Sequence, residues 1–208
     1  MVGVDIVPDV DVGQLDITDG AAVDTFVGEV LAEHGAIDGL VNNAAVGPLG
    51  TVPTTDDATF DHIIDVNVKG TFLMSRAVLP SMITNQRGAI VNIGSGAGHG
   101  KANMAVYGAS KAAIHALTMS MATDHFDDHV RVNTVIPGGG GIASRISLGR
   151  AQLSEAEYAL LPHQGSAAGR PVTGQDVGEA VAFLLSDGAA TISGTCIDVG
   201  CLAGQGAS

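Results

Sequence analysis

Apolar residues recur along the chain in two alternating rhythms, short runs rich in Val and Ile and longer stretches with helical spacing. The first runs predict strands over Val2–Ile6 and Gly13–Ile17. Thr18 and Asp19 then read as a helix N-terminus, Val23, Phe26, Val27, Val30 and Leu31 recur on one helical face, and Gly35 follows as the stop. Gly39–Asn43 is the next strand, followed by a mostly helical stretch from about 57 to 84. Ala89–Ile93 reads as a buried strand, and 106–123 as a helix rich in small residues. A strand over Arg131–Ile136 stops at Pro137 and Gly138, and the last pair is a helix over Gln175–Leu185 and a strand over Thr195–Val199. Strands alternating with helices of this length predict an α/β fold: a doubly wound parallel sheet with helices on both faces. Ligands of such sheets lie beyond the carboxyl ends of the strands.

Composition narrows the class. At 208 residues the chain is read as one domain, 1–208, with enough length to bury a core. It is 46% apolar and only 15% charged, which excludes a disordered or fibrous protein. The formal charge of −13 argues against binding nucleic acid or anionic lipid through a basic surface. No apolar run is long enough to span a bilayer and no basic segment precedes an apolar one at the start, so a soluble cytoplasmic protein is expected. Cys196 and Cys201 read as two reduced thiols rather than a disulfide or a metal site. The seven histidines show no metal-ligand spacing, and no metal is assigned.

The sharpest chemical signal is Tyr107-Gly-Ala-Ser-Lys111. Positions i and i+4 share a helix face, so the ammonium lies near the phenol. A cation there favours phenolate, which is how a tyrosine becomes a general acid/base. With three lysines and two tyrosines in the whole chain, an accidental pair is a poor explanation. Ser95 stands twelve residues before Tyr107, just past a buried strand. Its hydroxyl could bind a carbonyl oxygen, although serine is also an ordinary turn residue. Asn67 lies inside helical sequence, where a local kink would account for it.

In order, Asn42-Asn43-Ala44-Ala45, Asn67, Ser95, Tyr107-x-x-x-Lys111 and Pro137-Gly138 resemble the short-chain dehydrogenase/reductase family. Gly169-Arg170-Pro171 onward, through Val181–Asp187 to Gly194–Gly200, is similar to that family's C-terminal segment. The resemblance implies a Rossmann-like fold and a nicotinamide-dependent oxidoreductase acting on an alcohol or ketone of small size. It implies that Tyr107 is the general acid/base and that Ser95 positions and polarises the substrate oxygen. Lys111 then supports the tyrosine and holds the nicotinamide ribose, and Asn67 supports a proton-relaying water chain. Cofactor contacts implied in the same way are Asp16 and Ile17 at the adenine, Asn43, Ala44 and Ala45 along its ribose, and Pro137, Gly138 and Ile142 on the nicotinamide side. Asp5 closes the first strand where the family places an acid for the ribose hydroxyls. A carboxylate there repels a 2′-phosphate and favours NAD over NADP, whereas a plain strand-end aspartate is the other reading. The helices around 67–85 and 106–123 pack across subunits in the family, implying a homodimer or homotetramer.

The sequence also departs from the family. No Thr-Gly-x-x-x-Gly-x-Gly turn is present, and the chain reads as starting at the family's second strand. The missing strand would lie between Val2–Ile6 and Gly39–Asn43, and with strands about 4.8 Å apart its loss predicts a gap of roughly 10 Å in the sheet. Only a few residues separate Ile6 from Gly13, fewer than the dozen or so of an ordinary parallel crossover. Ala45 and Val199 stand where the family often has glycine, and the spacing from Ser95 to Tyr107 is one residue short. The glycine run 138–141 reads as the hinge of a substrate lid over 138–169. That lid offers Ile142, Ile146, Leu148, Leu153, Leu160 and Leu161 and no arginine cluster, so a neutral, fairly apolar substrate is expected, unless those leucines simply pack the lid. His99 is either a pocket residue or a solvated loop histidine. The competing overall reading is a catalytically silent fragment of the same family acting as a binding or oligomerisation partner.

Overall fold

The computed structural model describes residues 1–6, 13–138, 142–161 and 166–200. The glycines 139–141, the link 7–12 and Cys201 lie outside the described residues. Strands β1 (Val4–Asp5) and β2 (Gly13–Gln14) precede helix α1 (Gly20–His34) and strand β3 (Gly39–Asn42). Helices α2 (Asp57–Ile64) and α3 (Thr71–Thr84) are joined by a π-helical turn over Asp65–Gly70. Strand β4 (Gly88–Ile93), helix α4 (Ala105–Asp124) and strand β5 (Val130–Pro137) follow, then the short helices α5 (Arg145–Ala151) and α6 (Glu155–Ala159). Helix α7 (Gly174–Leu185) and strand β6 (Cys196–Val199) complete the described order.

Every strand pair is parallel, as the alternating pattern predicts. The strands form two sheets among the described residues, one of β1 and β2 and one in the order β3-β4-β5-β6. The interruption expected between β1 and β3 is therefore present, and it leaves Val41 of β3 39% exposed. A valine in the middle of a parallel strand flanked on both sides would be buried. The first two strands are shorter than the sequence pattern suggests. Strand β2 ends because the Asp16 carboxylate accepts bonds from the Thr18 amide (2.9 Å) and hydroxyl (2.7 Å), turning the chain into α1.

Helix α1 begins and ends as its sequence dictates. The Asp19 side chain accepts from the Ala21 and Ala22 amides, and Gly35 at φ 80° donates to Leu31 O. Successive side chains of the central strands feed two cores on opposite faces. Ile90 and Val132 join Leu15, Val23, Val27, Leu73, Val78, Met82 and Met121 beneath α1, α3 and α4. Val91 and Val135 pack with Leu184 and Ala189 under α7. Full burial of each such side chain contributes about 1.5–3 kcal/mol. The first core also takes in Val4 and Ile17, so side-chain packing joins the two sheets where no ladder does. Gly70 permits this approach: a methyl there would lie 2.5 Å from Ile17 Cδ1.

Candidate active site

A cleft of about 1390 Å³ opens beyond the carboxyl ends of the strands. It exceeds the roughly 300–1,000 Å³ of ordinary small-molecule pockets, which leaves room for a cofactor beside a substrate. Ser95, Tyr107 and Lys111 line it, together with Asp5, Asp16, Ile17, Asn43, Ala44, Ala45, Pro137, Gly138 and Ile142. Asn67 lies outside that lining. His99 is also outside it, exposed, with its ring 5.5 Å from that of His115.

One side of the candidate site is built on α4. Lys111 is 4% exposed, and burial pushes its ammonium down from 10.5 to about 8. Its Nζ donates to Ile93 O at the end of β4 (2.8 Å) and lies 5.9 Å from the centre of the Tyr107 ring. Ser95 follows β4 directly and caps a 3₁₀ turn over Gly96–His99. Its Oγ accepts from the Ala97 amide (3.2 Å), which leaves the hydroxyl hydrogen for another acceptor.

Asn67 works one layer behind. It is 1% exposed within the π-helical turn. Its Oδ1 accepts from the Val46 amide (2.8 Å), while Nδ2 donates to Val46 O (2.9 Å) and to Ser110 Oγ (3.0 Å). The Ser110 hydroxyl in turn donates to Tyr107 O (2.7 Å). Asn67 thus clamps the loop after β3 to the turn of α4 that carries Tyr107. Thr71 Oγ1 satisfies the Asn67 carbonyl in the disturbed helix (2.9 Å). A second buried chain of hydrogen bonds runs Ser75–Asn42–Asn92–Thr118–Thr134 across β3, β4 and β5 and fixes the strand ends under the cleft. Sequence reasoning missed Ser110 and this chain, because serine and threonine on a helix carry no local mark of such partners.

It also missed two arginines of α5. Arg145 Nη1 meets both oxygens of Asp5, at 3.0 and 3.1 Å, across the adenosine end predicted for the cleft. Arg150 Nε donates to Gly47 O (2.5 Å), and its guanidinium carbon lies 4.5 Å from the centre of the Tyr107 ring. Burial pulls Arg150 below the usual arginine range, with Tyr107 acting the other way. Gly47 leaves room for this packing, since a methyl would lie 2.5 Å from Arg150 Nη2 and 3.0 Å from the Tyr107 ring. The scarcity of basic residues was the available signal: two of nine sit five positions apart in one short helix.

Residues 5–201 match the family model described as enoyl-(acyl carrier protein) reductase. The inactive 2-(S)-hydroxypropyl-CoM dehydrogenase 2 of Xanthobacter autotrophicus is 40% identical over 183 residues, covering 86% of this chain and 78% of that protein. Among solved structures, ligand-free aldohexose dehydrogenase of Thermoplasma acidophilum superposes with a TM-score of 0.82 at 30% identity, covering 95% of this chain and 81% of that one. ElxO with NADP bound gives a TM-score of 0.78 at 27% identity, with coverages of 90% and 75%.

Proposed function

Since the chain belongs to the short-chain dehydrogenase/reductase family of oxidoreductases, we propose that it transfers hydride between NAD(H) and a secondary alcohol or its carbonyl, with Tyr107 as general acid/base. The observation that carries this reading is Lys111, a buried ammonium tied to the end of β4 beside the Tyr107 ring, in the cleft that Ser95 also lines. A bound nicotinamide supplies the hydride acceptor or donor. Tyr107 takes the hydroxyl proton of the alcohol in one direction and returns it to the carbonyl oxygen in the other. The free hydrogen of Ser95 Oγ holds that oxygen, and the Lys111 ammonium stabilises charge on the phenol as the proton leaves. Asn67 is a positioning residue, holding the Val46 loop and Ser110 so that Tyr107 keeps its place.

The residues fit a nicotinamide cofactor at both ends of the cleft. Asp5, Asp16, Lys111, Pro137, Gly138 and Ile142 all line the cleft, and in this reading the two acids meet the adenosine and the other four the nicotinamide. A nicotinamide cofactor agrees with the bound NADP of ElxO. The choice of NAD rests on the Asp5 carboxylate at the end of β1, and its pairing with Arg145 offsets part of the repulsion it exerts on a 2′-phosphate. Assembly through α3 and α4 into a dimer or tetramer belongs to the same reading, with Phe72 and Met119 exposed on those helices.

The test is Tyr107→Phe, with nicotinamide absorbance followed across a panel of secondary alcohols and ketones. Turnover is expected to fall by about 10²–10⁴-fold with the melt unchanged. Undiminished turnover in this variant would overturn the role of Tyr107. Melts with NAD and with NADP decide the cofactor: saturation at 100 times Kd adds about 2.7 kcal/mol, and a larger shift with NADP refutes the role given to Asp5. A second reading, a silent binding partner, is favoured by the inactive relative. A cooperative melt that neither cofactor shifts would establish it.

A further inference from the structure

The six arginines of the chain differ in what they face. Arg76, Arg87, Arg145 and Arg170 each meet a carboxylate, and Arg131 donates to the Leu184 and Ser186 carbonyls at the end of α7. Arg150 meets no carboxylate among the described residues: the Tyr107 phenol is a side-chain partner, and Nη2 is buried without a well-aligned hydrogen bond of its own. This happens in a chain with 22 acidic residues against nine Lys and Arg, where a carboxylate partner is easily supplied. A half-buried guanidinium with an unmatched nitrogen is costly unless an anion completes it. The position is specific: Nε is spent on Gly47 O, the guanidinium stacks on the Tyr107 ring, and the residue lines the cleft. The acids lining that cleft, Asp5, Asp16 and Asp65, are each engaged elsewhere, by Arg145, Thr18 and Lys69.

We propose that Arg150 is the specificity-determining residue of this cleft and receives the carboxylate of a keto acid or hydroxy acid whose carbonyl or alcohol carbon reacts at Tyr107. The proposal rests on the hydride-transfer reading and replaces the neutral substrate that the apolar lid residues suggest. The planar fork of arginine pairs with a carboxylate through two parallel N–H bonds. An acid so held stands beside the phenol, with its carbonyl within reach of Tyr107 and Ser95. An oxyanion can reach Arg150 from a second source, the diphosphate of the cofactor, and the test separates the two.

Short- and medium-chain 2-keto and 3-keto acids, each against its methyl ester, are titrated into the NAD-saturated protein, with the thermal melt and calorimetric heat as readouts. The wild type is expected to bind acids and to discriminate against their esters by about tenfold to a hundredfold. Arg150→Met should abolish that discrimination and Arg150→Lys should keep part of it, while the shift produced by NAD alone stays constant in all three. Equal binding of acids and esters by the wild type, absence of acid binding across the panel, or an unchanged preference in Arg150→Met would overturn the proposal. Loss of the NAD shift in Arg150→Met with acid binding intact would assign the arginine to the cofactor diphosphate and overturn it equally. Acid binding that depends on Arg150, with no NADH oxidised by the same keto acids and no NAD reduced by the matching hydroxy acids, would sustain this site and defeat the oxidoreductase reading instead.

Discussion

Replacing Lys111 with methionine on a Tyr107→Phe background tests whether the buried ammonium carries the electrostatic cost that its surroundings imply. The fall from 10.5 to about 8 comes from burial. At about 1.4 kcal/mol for each factor of ten, the charged form is held at a cost of about 3 kcal/mol relative to the unfolded chain. The folded value lies below the unfolded one, so between pH 8 and 10.5 the unfolded chain holds the extra proton. Stability contributed at this position therefore rises with pH through that window, and it is lowest, with the full cost present, below about pH 8. The phenylalanine background removes the phenol from the titration. The assay is urea unfolding of the Tyr107→Phe protein, with and without Lys111→Met, at intervals from about pH 7 to pH 10.5. The stability of the form that keeps Lys111 minus that of the Lys111→Met form is expected to rise by about 2–3 kcal/mol across the range. A difference that stays flat, or falls, would show that the ammonium is solvated and that its bond to Ile93 O does not place it in a low-dielectric site.

Two further perturbations probe the scaffold behind the site. Asn67→Ala removes three hydrogen bonds from a buried side chain and strands the Val46 backbone groups; a loss of about 2–4 kcal/mol in urea unfolding is expected, with turnover falling alongside. Gly70→Ala pushes a methyl to 2.5 Å from Ile17 Cδ1 and is expected to cost about 1–3 kcal/mol. Adding Ile17→Val, which removes that Cδ1, should restore part of the loss, and additive effects in the double variant would refute the contact between the π-helical turn and the segment after β2.

Local periodicity made most elements legible. Helix α1 carries its own cap in Asp19 and its own stop in Gly35, and β4 and β5 are Val- and Ile-rich runs buried along most of their length. The Tyr107 and Lys111 pair was equally open to reading, because four residues on a helix bring two side chains to one face whatever surrounds them. The π-helical turn at Asn67 was visible only as an awkward residue in a helix. Its cause is the distant Val46 loop and Ser110, which local spacing does not reveal.

Strand and helix order, the parallel pairing and the shared helix face of Tyr107 and Lys111 were written in the residues, since each follows from short-range pattern. Which side chains meet across long separations was settled by folding alone. Asp5 meets Arg145 over 140 positions, Gly47 meets Arg150 over 103, and Asn42 meets Asn92 over 50. Charge and hydrogen-bond partners depend on distance in space, and only packing sets that distance. For that reason the sequence showed the pairing of Tyr107 with Lys111, and only the folded chain showed the arginine lying over the tyrosine ring.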